Sequence, residues 1–309
     1  MTRISKGASD TDAFRTPALF YNSAREGFGD LLANLDLSSG EGVLLPAFIG
    51  WSPREGSGMF DPVAGSGLPF GFYEPEPDLT VNIERLEIAL ATGRWRVLVL
   101  IHYWGRTDPR LAAVQSLAKA HGAILIEDLA HGLFTAARGA AGWAGSINLF
   151  SLHKMLPLSE GGMITYRNTA LLKGQRETRP DLSRAVQHYD WATIGEVRRT
   201  NFQRLIDRLS TLPELGSDYE LLWPELAPHD VPQSLPVRIL NGRRDSIYTA
   251  MNIDGYGMTS LYHTLIAELA SFPAMQSLAA SVTNFPIHQD SDVAELDSMI
   301  DSFQRALSG

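Results

Sequence analysis

Residues 43–166 alternate between continuous apolar runs and amphipathic runs. The apolar runs are typical of strands buried on both faces of a parallel sheet, and they read VLLPAFIGW, RVLVLIHYW, AILIEDL, INLFSL and GGMITY. Between them, apolar residues at helical spacing predict helices in IERLEIALAT and in DPRLAAVQSLAKAHG, where Asp108 is the expected N-cap. This order implies βαβ units, so the pattern predicts an α/β fold with a mainly parallel central sheet flanked by helices.

The pattern of apolar and polar residues changes after about residue 170. A polar helical stretch comes first, and LPVRIL then predicts a strand. The two later segments MTSLYHTLIAELASF and SDVAELDSMIDSFQRAL predict helices. We therefore expect a large domain over residues 1–180 and a smaller C-terminal α/β domain over residues 181–309.

Composition narrows the classes of function. The net charge of −9 among 309 residues lacks the basic excess that nucleic-acid binding requires. No apolar run approaches the length of a membrane span, and the polar N-terminus has no apolar signal core, so we expect a cytoplasmic protein without a membrane partner. The chain has no cysteine, which excludes disulfides, thiolate nucleophiles and cysteine-ligated metals, and no metal site is expected.

Charged side chains follow two of the predicted buried strands. AILIEDLAHG brings Glu127 and Asp128 to the end of one strand, with His131 three residues later, and Lys154 follows the strand INLFSL. Ligands of open α/β sheets bind beyond the carboxyl ends of the strands. An amine at this edge can form a Schiff base with a carbonyl cofactor, and a carboxylate can keep a pyridine nitrogen protonated. The structural alternative is that Asp128 caps a helix and Lys154 is a solvated turn residue.

Whole motifs favour the chemical interpretation. The stretch VLVLIHYWGRTDPRLAAVQSLAKAHGAILIEDLAHGL, followed by GSINLFSLHKMLPLSEGGMITY, resembles the DegT/DnrJ/EryC1/StrS family. The resemblance is clearest from Tyr21 to Arg167 and fainter beyond. Seven residues occupy the spaced positions of the family pattern: Glu127, Asp128, His131, Ser151, Lys154, Gly161 and Gly162. The resemblance implies a pyridoxal-phosphate enzyme of aminotransferase fold type I that acts as a homodimer.

The resemblance also implies roles for these residues. Lys154 would form the Schiff base with pyridoxal phosphate, and Asp128 would pair with the protonated pyridine nitrogen. His131 would approach the hydroxyl or the face of the cofactor ring, with a structural histidine as the alternative. Ser151 would donate to the phosphate.

The phosphate cradle is expected at the start of the first helix. Ser23 and Ala24 match the small-residue pair that the family has there, with Arg25 beside them. Free N–H groups at a helix N-terminus bind phosphate, although Ser23 is equally interpretable as an ordinary N-cap. Trp51 is expected to supply the ring that stacks on the cofactor, with a core or interface role as the alternative.

Three features depart from the family pattern. Ser151 and Lys154 are closer together than in well-known sugar aminotransferases, the Gly-x-Asn-Tyr-Arg motif is absent, and the chain is short. In the family that motif contacts the cofactor phosphate or the substrate, partly from the neighbouring subunit. We expect the loop at residues 50–58 or the stretch at residues 187–192 to replace it, with plain surface loops as the alternative.

The sequence thus predicts an aminotransferase that moves an amino group from an amino-acid donor to a keto acceptor, for which a keto-sugar nucleotide is a candidate. A second hypothesis is another pyridoxal-phosphate reaction on the same fold, such as elimination or dehydration. Dehydrating relatives have histidine in place of the lysine, so Lys154 favours transamination. A third hypothesis is a non-catalytic binding or regulatory protein.

Overall fold

A computed structural model describes residues 16–308 of the chain. Its ten strands are β1 (Ala18–Tyr21), β2 (Gly42–Pro46), β3 (Phe70–Tyr73), β4 (Trp95–Ile101), β5 (Ile124–Asp128), β6 (Ile147–Ser151), β7 (Gly162–Tyr166), β8 (Tyr219–Leu221), β9 (Ser234–Ile239) and β10 (Val282–Pro286). The helices within the same residues are α1 (Ala24–Asn34), α2 (Phe60–Ser66), α3 (Ile83–Thr92), α4 (Leu111–Ala120), α5 (Leu133–Ala137), α6 (Leu182–Ala185), α7 (Trp191–Leu209), α8 (Arg244–Ile253), α9 (Pro273–Ser281) and α10 (Val293–Ser308).

A seven-stranded sheet organises the first part of the chain, in the order β1-β7-β6-β5-β4-β2-β3. Its five strands from β6 to β3 pair in parallel, whereas β7 is antiparallel to both of its neighbours. Because β4, β5 and β6 run in the same direction, their carboxyl ends lie at one edge. This topology confirms the predicted α/β fold class.

Both faces of this sheet are buried, as the continuous apolar runs predicted. Val97, Val99 and Ile101 of β4 join the cluster that lies against α1 and α2. Leu98 and Leu100 point the other way, into a cluster with residues of α3 and α4. Successive strand residues alternate between the two faces, so burial on both sides requires apolar residues at every position.

A three-stranded antiparallel sheet in the order β10-β9-β8 carries the second core. Residues of α7, α8 and α10 pack with it into a separate cluster, consistent with the expected smaller α/β region. The stretch from residue 265 to residue 282 instead contributes Leu265, Leu269 and Leu278 to the core of the large sheet. The domain boundary at residue 180 stays a prediction.

The helix predicted over residues 258–272 is wrong. In this fully described stretch the chain is irregular apart from a short 3-10 turn at Ala267–Leu269. Its backbone pairs with other parts of the chain, since Thr259 forms a β-bridge with Asn284 and Leu265 forms one with Gly50. These tertiary pairings override the helical spacing of the apolar residues.

The expected N-cap at Asp108 is also wrong, because α4 begins at Leu111 and its N-cap position is Arg110. The carboxylate of Asp108 accepts hydrogen bonds from the backbone N–H of Arg110 at 2.7 Å and of Val81 at 2.9 Å. Asp108 therefore ties the start of α4 to the segment before α3.

Candidate active site

The candidate active site lies at the sheet edge where β5 and β6 end. Asp128 is the last residue of β5, and β6 ends at Ser151, after which a 3-10 turn carries Lys154. The Nζ atom of Lys154 lies 3.3 Å from Nε2 of His131, on the turn that follows β5. The structure thus brings together the amine, the carboxylate and the imidazole that the sequence singled out.

Lys154 is exposed to solvent. Desolvation by the surrounding protein lowers the pKa of its ammonium group, and the positive charge of Arg25 acts in the same direction. The negative charges of Asp128 and Glu55 oppose this shift. A lysine with a lowered pKa is neutral more often, which is the form that reacts with a carbonyl.

His131 is buried, with 3% of its surface exposed. Burial lowers its pKa well below the ordinary value for histidine, and the charges of Lys154 and His153 lower it further. The imidazole is therefore neutral, and its unprotonated nitrogen can accept a proton shared with the Lys154 amine.

Asp128 is 7% exposed, and its Oδ1 atom accepts a hydrogen bond from the N–H of Ala130 at 2.9 Å. Burial raises the pKa of this carboxyl group, while the backbone hydrogen bond from Ala130 and the charge of Lys154 lower it. A buried carboxylate whose pKa is raised favours a cationic partner, because such a partner offsets the cost of burying its charge.

The start of α1 approaches the same edge. Ser23 is the N-cap, and its Oγ atom accepts a hydrogen bond from the N–H of Glu26 at 3.1 Å, so the structural alternative holds for its hydroxyl. A Cβ atom on Gly162 would lie 2.2 Å from the amide nitrogen of Ala24, so glycine at this position lets α1 reach β7. The first N–H groups of a helix have no acceptor inside it, which leaves them available to an anion.

Arg25 faces the loop over residues 50–58. Its guanidinium donates to the carbonyl oxygen of Glu55 and lies 3.5 Å from a carboxylate oxygen of Asp61. The hydrogen bond from Arg25 to Glu55 holds this loop against the start of α1, and the charge of Glu55 opposes the lowering of the pKa of Lys154. The chain's own loop thus forms part of the wall of the site.

For two residues that were predicted to contact the cofactor, the structure shows only contacts within the protein. Ser151 is 5% exposed, and its Oγ atom lies 3.4 Å from Nδ1 of His153. Trp51 is 44% exposed, and its backbone N–H donates to the carbonyl oxygen of Thr264 at 2.9 Å. Their contacts with a cofactor stay predictions.

A second polar pair lies directly behind the site. Glu127 points to the opposite face of the sheet from Asp128, and its carboxylate lies 2.8 Å from Nε2 of His102, which follows β4. The same carboxylate accepts hydrogen bonds from the backbone N–H groups of Gly142, Ala144 and Gly145. Both side chains are fully buried. Glu127 belongs to the family motif, but the motif implied no role for it.

Sequence reasoning missed Tyr262, which lies in the stretch predicted to be helical. Its ring centroid is 6.3 Å from that of His131 and 5.2 Å from that of Phe48. Burial raises the pKa of its phenol, and the negative charge of Asp128 acts in the same direction. An aromatic residue before a histidine carried no signal of this placement.

These residues fit pyridoxal phosphate. Lys154 can bind the carbonyl, and the buried carboxylate of Asp128 is suited to a protonated pyridine nitrogen. The N-terminus of α1 supplies N–H groups for the phosphate. In residues 16–308 no cluster of three histidine or acidic side chains is arranged to hold a metal ion. No helix of the same residues is long and apolar enough to span a membrane.

Comparisons with known proteins agree with this arrangement. Residues 31–180 match the model of the DegT/DnrJ/EryC1/StrS aminotransferase family. The aminotransferase TlmJ from Streptoalloteichus hindustanus is 20% identical with a TM-score of 0.77, over 94% of this chain and 86% of that one. DesV from S. venezuelae, solved with a ketimine intermediate, is 20% identical with a TM-score of 0.76, over 97% and 87%.

A third similar structure is NtdA from Bacillus subtilis, solved with the bound cofactor PMP. It is 17% identical with a TM-score of 0.76, over 97% of this chain and 75% of that one. At these identities the likeness establishes the fold, which is that of fold type I aminotransferases.

Proposed function

We propose, from the premise that residues 31–180 belong to the DegT/DnrJ/EryC1/StrS aminotransferase family, that this protein transfers an amino group from an amino-acid donor to a keto acceptor. The family depends on pyridoxal phosphate. Lys154 is the residue that we propose to form the Schiff base with it. A keto-sugar nucleotide is the acceptor class that we propose. The observation that carries the proposal is the 3.3 Å contact between Lys154 and a neutral His131, next to the buried Asp128.

Bound pyridoxal phosphate supplies a carbonyl that condenses with amines and a ring that accepts electron density. Asp128 would supply the negative charge that keeps a proton on the ring nitrogen. Lys154, with its lowered pKa, would be neutral often enough to bind that carbonyl and to hold or move a proton at Nζ. His131 stays neutral beside it, so an unprotonated ring nitrogen is available to share a proton with the Lys154 amine.

The rest of the site binds and orients. The free N–H groups at the start of α1 would bind the phosphate, and Ser151, at the end of β6, would donate a hydrogen bond to it. Trp51, which is 44% exposed, would supply the ring that stacks on the cofactor. Arg25 stays close to this end of the site because it donates to the backbone of Glu55.

We further propose a homodimer whose partner subunit closes the cleft and excludes water from the reacting groups. The loop at residues 50–58 and the stretch at residues 187–192 are the candidates for contacts across the two-fold axis. The first of these contains Trp51, whose side chain is 44% exposed. The large domain at residues 1–180 would hold the cofactor, and the smaller domain at residues 181–309 would contribute to the substrate side.

The test is a cofactor-labelling experiment on the purified protein. After loading with pyridoxal phosphate, borohydride reduction should leave a covalent mass adduct on the peptide that contains Lys154. The Lys154→Ala variant should carry no adduct and should lose transamination from glutamate by about 10²–10⁴-fold, because the general acid–base group is gone. Lys119→Ala, which removes an exposed lysine of α4, is the matched control and should behave as wild type.

Two results would contradict the proposal. An adduct on another lysine would remove Lys154 from its role. A labelled protein that produces no keto acid from any amino donor would leave the cofactor in place but exclude the aminotransferase reaction.

A further inference from the structure

The backbone of Tyr262 is strained. Its φ angle is 61°, in the left-handed region that bulky side chains rarely adopt. Such outliers persist only where the surrounding structure holds them, and they cluster at functional sites.

Backbone pairing of residues 264–266 with residues 49–51 holds Tyr262 in place. The N–H of Trp51 donates to the carbonyl oxygen of Thr264 at 2.9 Å, and the N–H of Ile266 donates to the carbonyl oxygen of Ile49 at 3.0 Å. A Cβ atom on Gly50 would lie 3.2 Å from Cδ1 of Tyr262, so glycine lets the ring come close. The chain directly beyond β2 therefore positions this tyrosine.

Aromatic side chains fix the ring itself. It stacks on Phe48 at 5.2 Å with an interplanar angle of 25°. It meets Tyr103, Trp104 and His131 edge to face, at centroid distances of 5.4, 5.4 and 6.3 Å. Each of these contacts limits rotation about the side-chain bonds, so the direction of the hydroxyl is set before any ligand binds.

The hydroxyl of Tyr262 differs from those of the neighbouring core tyrosines. Tyr103 donates to the carbonyl oxygen of Phe48 at 2.7 Å, and Tyr73 donates to that of Val99 at 2.9 Å. Within residues 16–308 the Tyr262 hydroxyl has no hydrogen-bond partner. Burial and the nearby charge of Asp128 raise the pKa of this phenol far above its usual value, so it remains a donor at any working pH.

We propose that Tyr262 is a ligand-binding residue of the candidate active site, whose hydroxyl donates a hydrogen bond to an oxygen atom of the bound pyridoxal cofactor. The inference rests on the proposed function, since it requires that cofactor. It explains why a strained backbone and a glycine at position 50 hold an unpaired donor beside Asp128 and His131. It also gives the C-terminal part of the chain a direct contact with the cofactor.

The test is isothermal titration calorimetry with pyridoxamine 5′-phosphate, which has no carbonyl and therefore forms no covalent bond with Lys154. Tyr262→Phe keeps the ring and its packing and removes the donor. We expect its dissociation constant to rise about tenfold relative to wild type, the usual cost of losing one hydrogen bond to a charged group. Thermal unfolding of the ligand-free variant should match wild type, which a purely structural hydroxyl would not allow.

Tyr256→Phe is the matched control, because Tyr256 packs against the core of the small sheet. It should bind pyridoxamine phosphate as wild type does. Equal dissociation constants for Tyr262→Phe and wild type, or equal weakening in both variants, would overturn the inference. A wild-type protein that does not bind pyridoxamine phosphate would instead overturn the proposed function on which the inference rests.

Discussion

Two pairs of titratable side chains lie at neighbouring strand ends, and they are built in opposite ways. In the pair of His102 and Glu127, the carboxylate receives hydrogen bonds from the imidazole and from three backbone N–H groups. The other imidazole nitrogen lies 3.2 Å from the backbone N–H of Asp108, which is a donor only, so Nδ1 accepts and Nε2 carries the proton. Every polar atom of this pair is satisfied inside the protein.

In the pair of Lys154 and His131, two basic groups face each other at 3.3 Å. Desolvation by the surrounding protein lowers the pKa of both, and neither forms a hydrogen bond with a carboxylate in residues 16–308. A satisfied buried network stabilises the fold, whereas a pair with lowered pKa values costs stability and persists where chemistry needs it. The contrast separates a structural pair from a functional one on the same sheet edge.

The largest effect on folding is expected from the structural pair. Glu127→Ala removes the acceptor of four hydrogen bonds and leaves His102 unpaired in the core. The free energy of unfolding should fall by about 3–5 kcal/mol, the usual cost of removing one partner of a buried polar pair. Urea unfolding measures this loss.

Glu196→Ala is the matched control, because the ion pair of Glu196 with Arg138 is exposed. It should change the free energy of unfolding by less than about 1 kcal/mol. If Glu127→Ala were as stable as this control, the network would not be structural.

Replacing Asp128 in the candidate active site should lower turnover without lowering the free energy of unfolding. Asp128→Asn should lower turnover about a hundredfold, because a preorganised charge beside the cofactor is lost. Burial raises the pKa of Asp128 in the folded protein. Its favourable contribution to stability is therefore present at low pH and is lost as pH rises through the folded pKa, so at pH 7 the carboxylate is a cost.

The amide of Asp128→Asn removes that cost. Urea unfolding of the cofactor-free variant at pH 7 should give a free energy equal to or above that of wild type. Normal turnover together with reduced stability would assign Asp128 to the structural class instead.

The smallest effect is a pH dependence. The pKa of His131 is lowered well below its unfolded value, so its contribution to stability is present above the unfolded pKa and is lost as pH falls towards the folded one. Below about pH 6.5, cofactor-free protein should lose up to about 1.4 kcal/mol per pH unit through this one proton.

His131→Gln should flatten this part of the stability curve, measured by urea unfolding between pH 7 and pH 5. His121→Gln, at the exposed C-cap of α4, is the control and should leave the slope as in wild type. Equal slopes in wild type and His131→Gln would show that His131 titrates normally.

Much of the large sheet could be predicted from local pattern. Helix α3 begins at Ile83 and ends at Thr92, as its apolar spacing predicted, and Asp128 and Lys154 lie at the ends of predicted strands. These elements were predictable because the residues that determine them are neighbours in the chain. The parallel strands then bring their ends to one edge.

Tyr262 could not be predicted in this way. Its position depends on pairing with residues 49–51, which lie more than two hundred positions earlier, and the apolar spacing around it indicated a helix. Likewise, Asp108 has the residue type and position of an N-cap, but its carboxylate bonds to Val81 as well. Where a side chain or a backbone segment contacts residues that are distant in the sequence, the local spacing of apolar residues does not predict that contact.

The pairing of residues 49–51 with residues 264–266 affects how fragments of this protein would fold when they are expressed separately. A fragment that ends at residue 180 would lack Leu265, Leu269 and Leu278, which fill the core of the large sheet, and would therefore expose apolar surface. It would also lack Tyr262. Two separately expressed halves would each be poor autonomous folding units, but co-expression should allow them to recombine, because the C-terminal half completes the core of the N-terminal one.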